Sequence, residues 1–287
     1  MIPYSSHMRI LVIGAGSYVG ARLYLDLVNK FGKESVIGTY HSKQLSKELV
    51  ALNVTDAKNV AEVIASVNPN IIVDVVAMAS PRWCEEHPKE ALEINQKGTE
   101  NILKAAYSVG ARIIYISTTG VLNPTDVYRK TKLASEETVK HCKAGFVIIR
   151  PGLIQGFSPN TENDRPFNRI LKNLDQKTPA VYDTSWKANV TWIGHISELV
   201  IISIERNLTG EIINVFSPDK KSRFDIASDI LSKFGITVTP KDDHDKTTSI
   251  EVNLDRLKEL NLPSHTYNEI IAKIVDEIKH REKFTLA

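Results

Sequence analysis

Residues 9–20 read RILVIGAGSYVG, and this stretch decides the fold. A short run of apolar, mostly β-branched residues predicts a strand, glycines follow directly, and the residues from Tyr18 onward have apolar side chains at helical spacing. Glycines here let the chain turn sharply, let the backbone approach a pyrophosphate, and let the next helix pack against the strand. The N–H groups that begin this helix then face the anion. The stretch therefore predicts the first βα unit of a dinucleotide-binding domain.

Short apolar runs continue to alternate with longer amphipathic runs through the first half of the chain. The predicted strands are Arg9–Ile13, Ser35–Tyr40, Ile71–Val76, Arg112–Ser117 and Phe146–Ile149, and the predicted helices are Tyr18–Lys30, Asp56–Val67, Pro88–Val109 and Val127–His141. Strands that alternate with helices form a parallel sheet covered on both faces. We therefore predict an α/β fold, with a Rossmann-type doubly wound parallel sheet over residues 8–150. Met1–His7 are left out of this prediction.

The pattern is looser after Arg150. Residues 151–287 predict a smaller C-terminal lobe that is interleaved with the first domain. Its predicted elements are helices at Phe167–Leu174, within Val190–Arg206, and at Arg223–Phe234, Leu254–Glu259 and Tyr267–His280, and a strand at Glu211–Phe216.

The composition is that of a folded protein and excludes several classes. Of 287 residues, 42% are hydrophobic and 24% are charged, which excludes disordered and low-complexity chains. Lys and Arg total 36 against 34 Asp and Glu, so the basic excess of a dedicated nucleic-acid binder is missing. The two cysteines, with no CxxC or HExxH pattern, predict neither a disulfide scaffold nor a metal site and fit a cytoplasmic protein. No apolar run is long enough to predict a membrane-spanning helix.

The segment after the second predicted strand bears on the choice of cofactor. NAD-binding domains usually place Asp or Glu there, about 20 residues after the glycines, to bind the ribose hydroxyls. This chain has Thr39-Tyr40-His41-Ser42-Lys43, in which His41, Ser42 and Lys43 could contact a 2′-phosphate. The sequence therefore favours NADPH, with NADH as the alternative. Asn53 and Val54 follow the next strand, where they are placed to contact the adenine.

A hydroxyl, a phenol and an amine follow the strand Arg112–Ser117. Thr118 stands at its carboxyl end, and of the nine tyrosines only Tyr128 has a lysine, Lys132, four residues later. Residues i and i+4 share one helix face, so the Lys132 ammonium is expected near the Tyr128 phenol and to lower its pKa. Such a tyrosine can exchange a proton near neutral pH, and Thr118 can bind the same substrate oxygen. These three residues are the predicted catalytic set.

The chain resembles the extended short-chain dehydrogenase/reductase superfamily, and within it the dTDP-4-dehydrorhamnose reductases. The resemblance covers about residues 8–279. It rests on the glycine loop and the Thr–Tyr–Lys set, on YISTT at 115–119, YRKTKLASE at 128–136 and EINQKGTEN at 93–101, and on Ser222-Arg223-Phe224 and Leu254–Leu257.

The resemblance implies a reaction and further site residues. NADPH would deliver hydride to the C4 keto group of a nucleotide-linked 6-deoxyhexose, a step of dTDP-rhamnose biosynthesis. Tyr128 would protonate the alkoxide, Lys132 would hold the nicotinamide ribose, and Thr118 would polarise the carbonyl. The second lobe would bind the substrate. The implied cofactor-binding residues are Gly14, Gly16, Ser17, Tyr18, Val19, Gly20, Ala77, Met78 and Ala79, together with Tyr128 and Lys132. Asn95 would connect to the lysine through water, and Asn189 would lie near the nucleotide-sugar.

Three departures from that group bear on the site: Ser17 concerns the pyrophosphate, and the missing Ser-Trp pair leaves the sugar open. Ser17 replaces a frequent glycine, and the Ser-Trp pair that often follows the strand Phe146–Ile149 is missing. Arg82 stands where Asp is common, so that Arg82 and Trp83 either contact substrate or pack the interface of the lobes.

Two other functions remain open from the sequence. One is an epimerase or dehydratase of the same superfamily with retained NAD; the missing acid after the second strand and Thr119-Gly120 beside Thr118 speak against it. The other is a cofactor-binding regulatory subunit without turnover, against which the intact catalytic set counts. Neither a nucleic-acid nor a membrane partner is predicted, and a homodimer is the default oligomer.

Overall fold

The computed structural model describes residues 8–245 and 251–286, so Met1–His7 lie outside it. The strands are β1 (Ile10–Ile13), β2 (Val36–Tyr40), β3 (Val50–Ala51), β4 (Ile71–Asp74), β5 (Arg112–Ile116), β6 (Phe146–Pro151), β7 (Leu153–Gln155), β8 (Ala180–Asp183), β9 (Lys187–Trp192), β10 (Glu211–Val215), β11 (Lys220–Ser222) and β12 (Val238–Lys241). The helices are α1 (Tyr18–Phe31), α2 (Ala57–Val67), α3 (Pro81–Glu86), α4 (Pro88–Ala91), α5 (Gly98–Val109), α6 (Val127–Val139), α7 (Pro166–Gln176), α8 (Ile193–Glu205), α9 (Arg223–Leu231), α10 (Asp255–Glu259) and α11 (Tyr267–Lys279).

The central sheet has seven strands in the order β10-β6-β5-β4-β1-β2-β3, and all its pairs are parallel. Its strands are apolar on both faces because helices cover both: all four residues of β1 are buried, and so are all five of β5. The strand order reverses next to β1, so β1 and β4 part at their carboxyl ends, where ligands bind in open α/β sheets. The predicted Rossmann-type doubly wound fold is confirmed.

The long helix predicted at Pro88–Val109 is interrupted. A π-helical turn, Leu92–Lys97, separates α4 from α5, and within it the N–H of Gly98 donates to the carbonyl of Glu93. The carbonyl of Asn95 accepts instead from the hydroxyls of Thr99 (2.9 Å) and Ser135 (2.7 Å). Side-chain hydroxyls thus take up a carbonyl that the wider turn leaves free, and the Asn95 side chain is buried beside α6.

The second half supplies both a central strand and two small sheets. The predicted strand at Glu211–Phe216 is β10, which pairs with β6 and so belongs to the central sheet. The small sheets, β11-β9-β7 and β12-β8, were not predicted, because several strands there follow one another without the intervening helix that marks the first half of the chain. The division at residue 150 remains a prediction, and the position of β10 shows how the two halves interleave. Among the described residues, no helix is long and apolar enough to cross a membrane.

Alanine at position 20 is expected to strain the first βα unit. A Cβ at Gly20 would overlap the backbone carbonyl of Gly14 and approach Val75 to 2.8 Å. Backbone cannot give way as a flexible side chain does, so we expect Gly20→Ala to lower the free energy of unfolding by about 1–3 kcal/mol. Chemical denaturation measures this. Gly110→Asn is the control: Gly110 has φ +67 with open space around it, which asparagine tolerates. Equal losses in both variants would contradict the clash.

Candidate active site

A cleft of about 380 Å³ opens at the carboxyl ends of the central strands. The glycine loop forms one wall, the segments after β4 and β5 form the floor, and α6 and the β9 region close the other side. Nine of the residues predicted to bind cofactor or substrate or to act in catalysis line it: Ser17, Tyr18, Val19, Ala77, Ala79, Thr118, Tyr128, Lys132 and Asn189. The cleft therefore joins the glycine loop to the Thr–Tyr–Lys set.

The glycine loop has the shape that its sequence requires. Gly14 has φ +95, a conformation that favours glycine, and a Cβ on Gly16 would lie 2.5 Å from the carbonyl oxygen of Lys43. Ser17 caps α1, its hydroxyl accepting from the N–H of Gly20 at 3.1 Å. The buried Tyr18 donates its phenol proton to the carbonyl of Gly156 at 2.5 Å, which ties the loop to the second half of the chain. The start of α1 is thus held rigidly at the cleft, as an anion site requires.

Lys132 is buried beneath the cleft. Its ammonium donates to the carbonyl of Ile116 at 2.8 Å and lies over the ring of Tyr115, 3.9 Å from the centroid. Burial lowers the pKa of Lys132 to about 8, and the carboxylates of Asp74 and Glu136 limit the fall. Lys132 therefore remains mostly charged at neutral pH and close to the point at which it loses its proton.

Tyr128 differs from the expectation. Burial raises its pKa to about 12, and among nearby cations Arg165 lowers it most. The predicted lowering by Lys132 is not found: Lys132 is not among the charges that shift the Tyr128 pKa, and its ammonium contacts Ile116 and Tyr115. Tyr128 is accordingly a protonated phenol at neutral pH, the form that can donate a proton.

Thr118 stands at the end of β5, facing the same cleft as Tyr128. Its hydroxyl accepts from the N–H of Gly120 at 3.1 Å and caps the short 3₁₀ turn Thr119–Leu122. The hydroxyl proton is not taken up by that bond, so Thr118 can donate it to a ligand oxygen.

Sequence reasoning missed Asp74, the last residue of β4. Its carboxyl is fully buried, accepts from the N–H of Val76 at 3.0 Å, and is the leading negative charge acting on Lys132. Burial raises the pKa of Asp74 to about 6, against the opposing effect of Lys132. The available signal was a single carboxylate inside the apolar run 71–76, since buried acids are rare unless a positive charge compensates them.

Asn95 has a structural role at this site. It is 1% exposed, accepts from the N–H of Met78 at 2.7 Å, and donates to the hydroxyl of Thr131 at 3.0 Å. These bonds fix the segment after β4 against α6. Met78 is held through its backbone by Asn95 and is not among the residues that line the cleft, whereas its neighbours Ala77 and Ala79 are.

The residues predicted for the adenosine end lie apart from the cleft. His41 and Ser42 are exposed beyond β2, and Lys43 forms an ion pair with Glu162. Asn53 accepts from the N–H of Thr55 at 3.1 Å, and buried Val54 packs under Gly98. Their roles toward a cofactor remain predictions.

Arg82 and Trp83 are not among the residues that line the cleft, and whether they contact substrate or pack the interface of the lobes remains a prediction. The Arg82 side chain is 89% exposed and pairs with Glu86, one turn along the short helix α3. Trp83 stacks on His87 with centroids 4.5 Å apart. Both side chains pack within the segment 81–87, because the i and i+4 spacing brings each pair together.

Three cations that the sequence did not single out line the cleft: Arg129, Arg165 and Lys187. Arg165 donates to the carbonyl of Ala79 at 3.1 Å, which holds its guanidinium beside Tyr128. Asn189 uses its amide on the carbonyls of Ser217 and Pro218, both at 3.0 Å, and so shapes the wall. Arg129 lies on α6, Arg165 precedes α7 and Lys187 begins β9, and no periodic pattern marks these positions.

Comparison with known proteins agrees with this geometry. A family model described as the RmlD substrate binding domain matches residues 8–254. A dTDP-4-dehydrorhamnose reductase from Aggregatibacter actinomycetemcomitans is 25% identical over 219 residues, which are 71% of this chain and 70% of that protein. A solved structure of dTDP-4-dehydrorhamnose reductase from Bacillus anthracis in complex with NADP has a TM-score of 0.79 at 18% identity, covering 96% of this chain and 99% of that one. At that identity the likeness shows the fold.

Other relatives are named as subunits of an enzyme and not as reductases. Subunit beta of methionine adenosyltransferase 2 from Xenopus tropicalis is 30% identical over 161 residues, which are 52% of this chain and 47% of that protein. The chain thus spans about half the length of the curated relatives that it matches first.

Proposed function

Because the chain belongs to the family of the RmlD substrate binding domain, we propose that it is an NADPH-dependent reductase of the C4 keto group of a nucleotide-linked 6-deoxyhexose. The predicted resemblance to extended short-chain dehydrogenases/reductases of the dTDP-4-dehydrorhamnose reductase type is confirmed by this membership. The observation that carries the proposal is the single cleft lined by the start of α1 and by Thr118, Tyr128 and Lys132.

The residues of the cleft suit this reaction. The reduced nicotinamide supplies the hydride when it is bound. Thr118 donates its hydroxyl proton to the C4 carbonyl oxygen and orients it, and Tyr128 gives its phenolic proton to that oxygen as C4 is reduced. A tyrosine pKa of about 12 keeps that proton in place until negative charge develops on the oxygen. Lys132 holds the ribose and supplies positive charge beneath the site.

The positive lining supports a nucleotide-linked substrate. Arg129, Arg165 and Lys187 line the cleft in addition to Lys132, and no Asp or Glu is among its described lining residues. Charge-assisted bonds from guanidinium groups bind diphosphates well. The second half of the chain supplies two of these cations, which supports its assignment as the substrate-binding lobe.

A regulatory subunit is the second candidate, and the similarity to subunit beta of methionine adenosyltransferase 2 favours it. In that case the cleft would bind a nicotinamide cofactor without turning over a sugar, and the partner would be a catalytic subunit.

One experiment separates the two candidates. The purified protein is incubated with NADPH and a panel of nucleotide-linked 4-keto-6-deoxyhexoses, and the absorbance of the reduced nicotinamide is followed. Consumption with one sugar supports the reductase. Binding of NADPH without consumption, together with a change in the activity of an added methionine adenosyltransferase, would replace it with the regulatory function.

We expect the choice of cofactor to depend on Lys43. A 2′-phosphate at the end of β2 would take the place of Glu162 as the partner of the Lys43 ammonium. A charge-assisted hydrogen bond contributes about 1.5–3 kcal/mol, so Lys43→Gln should weaken NADPH binding roughly tenfold or more and leave NADH binding unchanged. Glu162→Gln should strengthen NADPH binding. Fluorescence titration with both cofactors measures this, with Lys47→Gln as the control. Equal effects on both cofactors would contradict a 2′-phosphate contact.

Asp74 is expected to set the alkaline limit of activity. Its carboxylate stabilises the Lys132 ammonium, whose pKa is about 8, so loss of the carboxylate lowers that pKa further. The Lys132 proton is then lost at lower pH, and the alkaline limb of kcat/KM moves to lower pH in Asp74→Asn. Asparagine keeps the acceptor for the Val76 N–H. The pH–rate profile measures the shift, and Asp56→Asn, which keeps the cap of α2, is the control. If the alkaline limb does not move in Asp74→Asn, the Asp74 carboxylate does not control the protonation of Lys132.

A further inference from the structure

A cluster of two imidazoles and a carboxylate lies outside the cleft. His195 is in the first turn of α8, Glu198 follows one turn later on the same face, and His265 directly precedes Thr266, the cap of α11. One nitrogen of each histidine and one carboxylate oxygen of Glu198 lie within 4.8 Å of one another. The third member is far away in sequence, so no local spacing could reveal the group, and the sequence predicted no metal site.

The hydrogen bonds leave one nitrogen of this cluster without a partner. His195 is fully buried, and its Nε2–H donates to the carbonyl of Pro263 at 2.9 Å. The proton is therefore on Nε2, and Nδ1 presents a lone pair that meets no donor among the described residues. A buried acceptor without a partner costs about 1–3 kcal/mol, so a ligand at Nδ1 would recover that energy.

We propose that His195, Glu198 and His265 bind a zinc ion. Two imidazole nitrogens and one carboxylate oxygen are a donor set that Zn²⁺ takes, with a water in the fourth position. The ion would occupy the place of the proton between His265 Nε2 and Glu198 Oε2, which are 2.7 Å apart. His265 would then hold its proton on Nδ1.

The surroundings of His195 match those of a metal ligand. A ligating histidine usually donates its other ring N–H to a backbone carbonyl or carboxylate, as His195 does to Pro263. That bond fixes the orientation of the His195 ring and leaves Nδ1 as the nitrogen available to an ion.

Two features oppose the ion and limit its affinity. The Lys273 ammonium lies over the ring of Trp192, 4.4 Å from the centroid, close enough to act on both His195 and Glu198. The positive end of the α8 dipole acts in the same direction. None of the three ligands lines the cleft. The ion would join the start of α8 to the start of α11, so its effect is expected on stability.

Metal binding by the full-length, tag-free protein tests the proposal. The protein is treated with a chelator, dialysed and titrated with Zn²⁺ by calorimetry, with Co²⁺ as a spectroscopic probe of the ligand field. We expect one ion per chain and a higher Tm with Zn²⁺. Glu198→Gln and His265→Asn, both at partly exposed positions, should each weaken binding at least about tenfold and abolish the rise in Tm. Lys273→Met should bind Zn²⁺ more tightly.

His280→Asn is the matched control, because His280 is a half-exposed histidine on the end of α11 that pairs with Asp276. It should bind Zn²⁺ as the wild type does. A wild type that binds no stoichiometric Zn²⁺, or one whose binding persists in both ligand variants, overturns the site. If His280→Asn loses Zn²⁺ binding while Glu198→Gln retains it, the ion binds elsewhere, and this result also overturns the proposed site.

Discussion

Phenylalanine at position 128 is expected to lower the turnover of the keto-sugar by about 10²–10⁴-fold while the Kd of NADPH stays unchanged. The phenol carries its proton at neutral pH, because burial raises its pKa to about 12. Phenylalanine keeps the ring and its packing and removes only the hydroxyl. Steady-state kinetics with the accepted sugar and fluorescence titration with NADPH measure the two quantities.

The control for Tyr128→Phe is a phenol of the same chemistry outside the cleft. Tyr107 is exposed on α5 and donates to the carbonyl of His141 at 2.6 Å, so Tyr107→Phe should leave turnover unchanged. A Tyr128→Phe protein that keeps the wild-type turnover would remove the phenol from the reaction. If the protein is instead a regulatory subunit, Tyr128→Phe should leave its effect on the catalytic partner unchanged.

Local sequence signals predicted the part of the site that local structure builds. The turn out of β1 and the pair Tyr128 and Lys132 on one helix face both depend on residues a few positions apart. The spacing placed these side chains at one end of a parallel sheet, and the structure brings them to one cleft. The spacing could not give the charge state of Tyr128, because that depends on burial by distant segments and on Arg165.

The missed residues have a common physical origin. Asp74 lies within an apolar strand, and its effect on Lys132 arises only when β4 and α6 pack together. Arg165 precedes α7 in a loop, and its position follows from one bond to the carbonyl of Ala79. Arg82 and Trp83, for which substrate contact and packing at the lobe interface were both left open, lie on α3 and contact their own i+4 neighbours.

A buried carboxylate joins the two halves of the chain, and its partners come from three segments. Glu277 on α11 accepts from Arg22 of α1 (2.6 Å), from the indole N–H of Trp192 at the end of β9 (2.9 Å), and from the N–H of Phe157 (2.8 Å). Arg22 also pairs with Asp26 at 2.7 Å. Each donor would lose a buried acceptor together with Glu277, so the cluster responds as a unit.

Glu277→Ala is therefore expected to lower the free energy of unfolding by about 3–5 kcal/mol, as for other buried ion pairs that lose one partner, or roughly 6–15 °C in Tm. Chemical and thermal denaturation measure both values. Glu93→Ala is the control, because Glu93 forms an exposed pair with Lys97, worth about 0.3–0.5 kcal/mol. A loss below about 1 kcal/mol in Glu277→Ala would mean that water enters and solvates Arg22, and that packing alone holds α11 against α1.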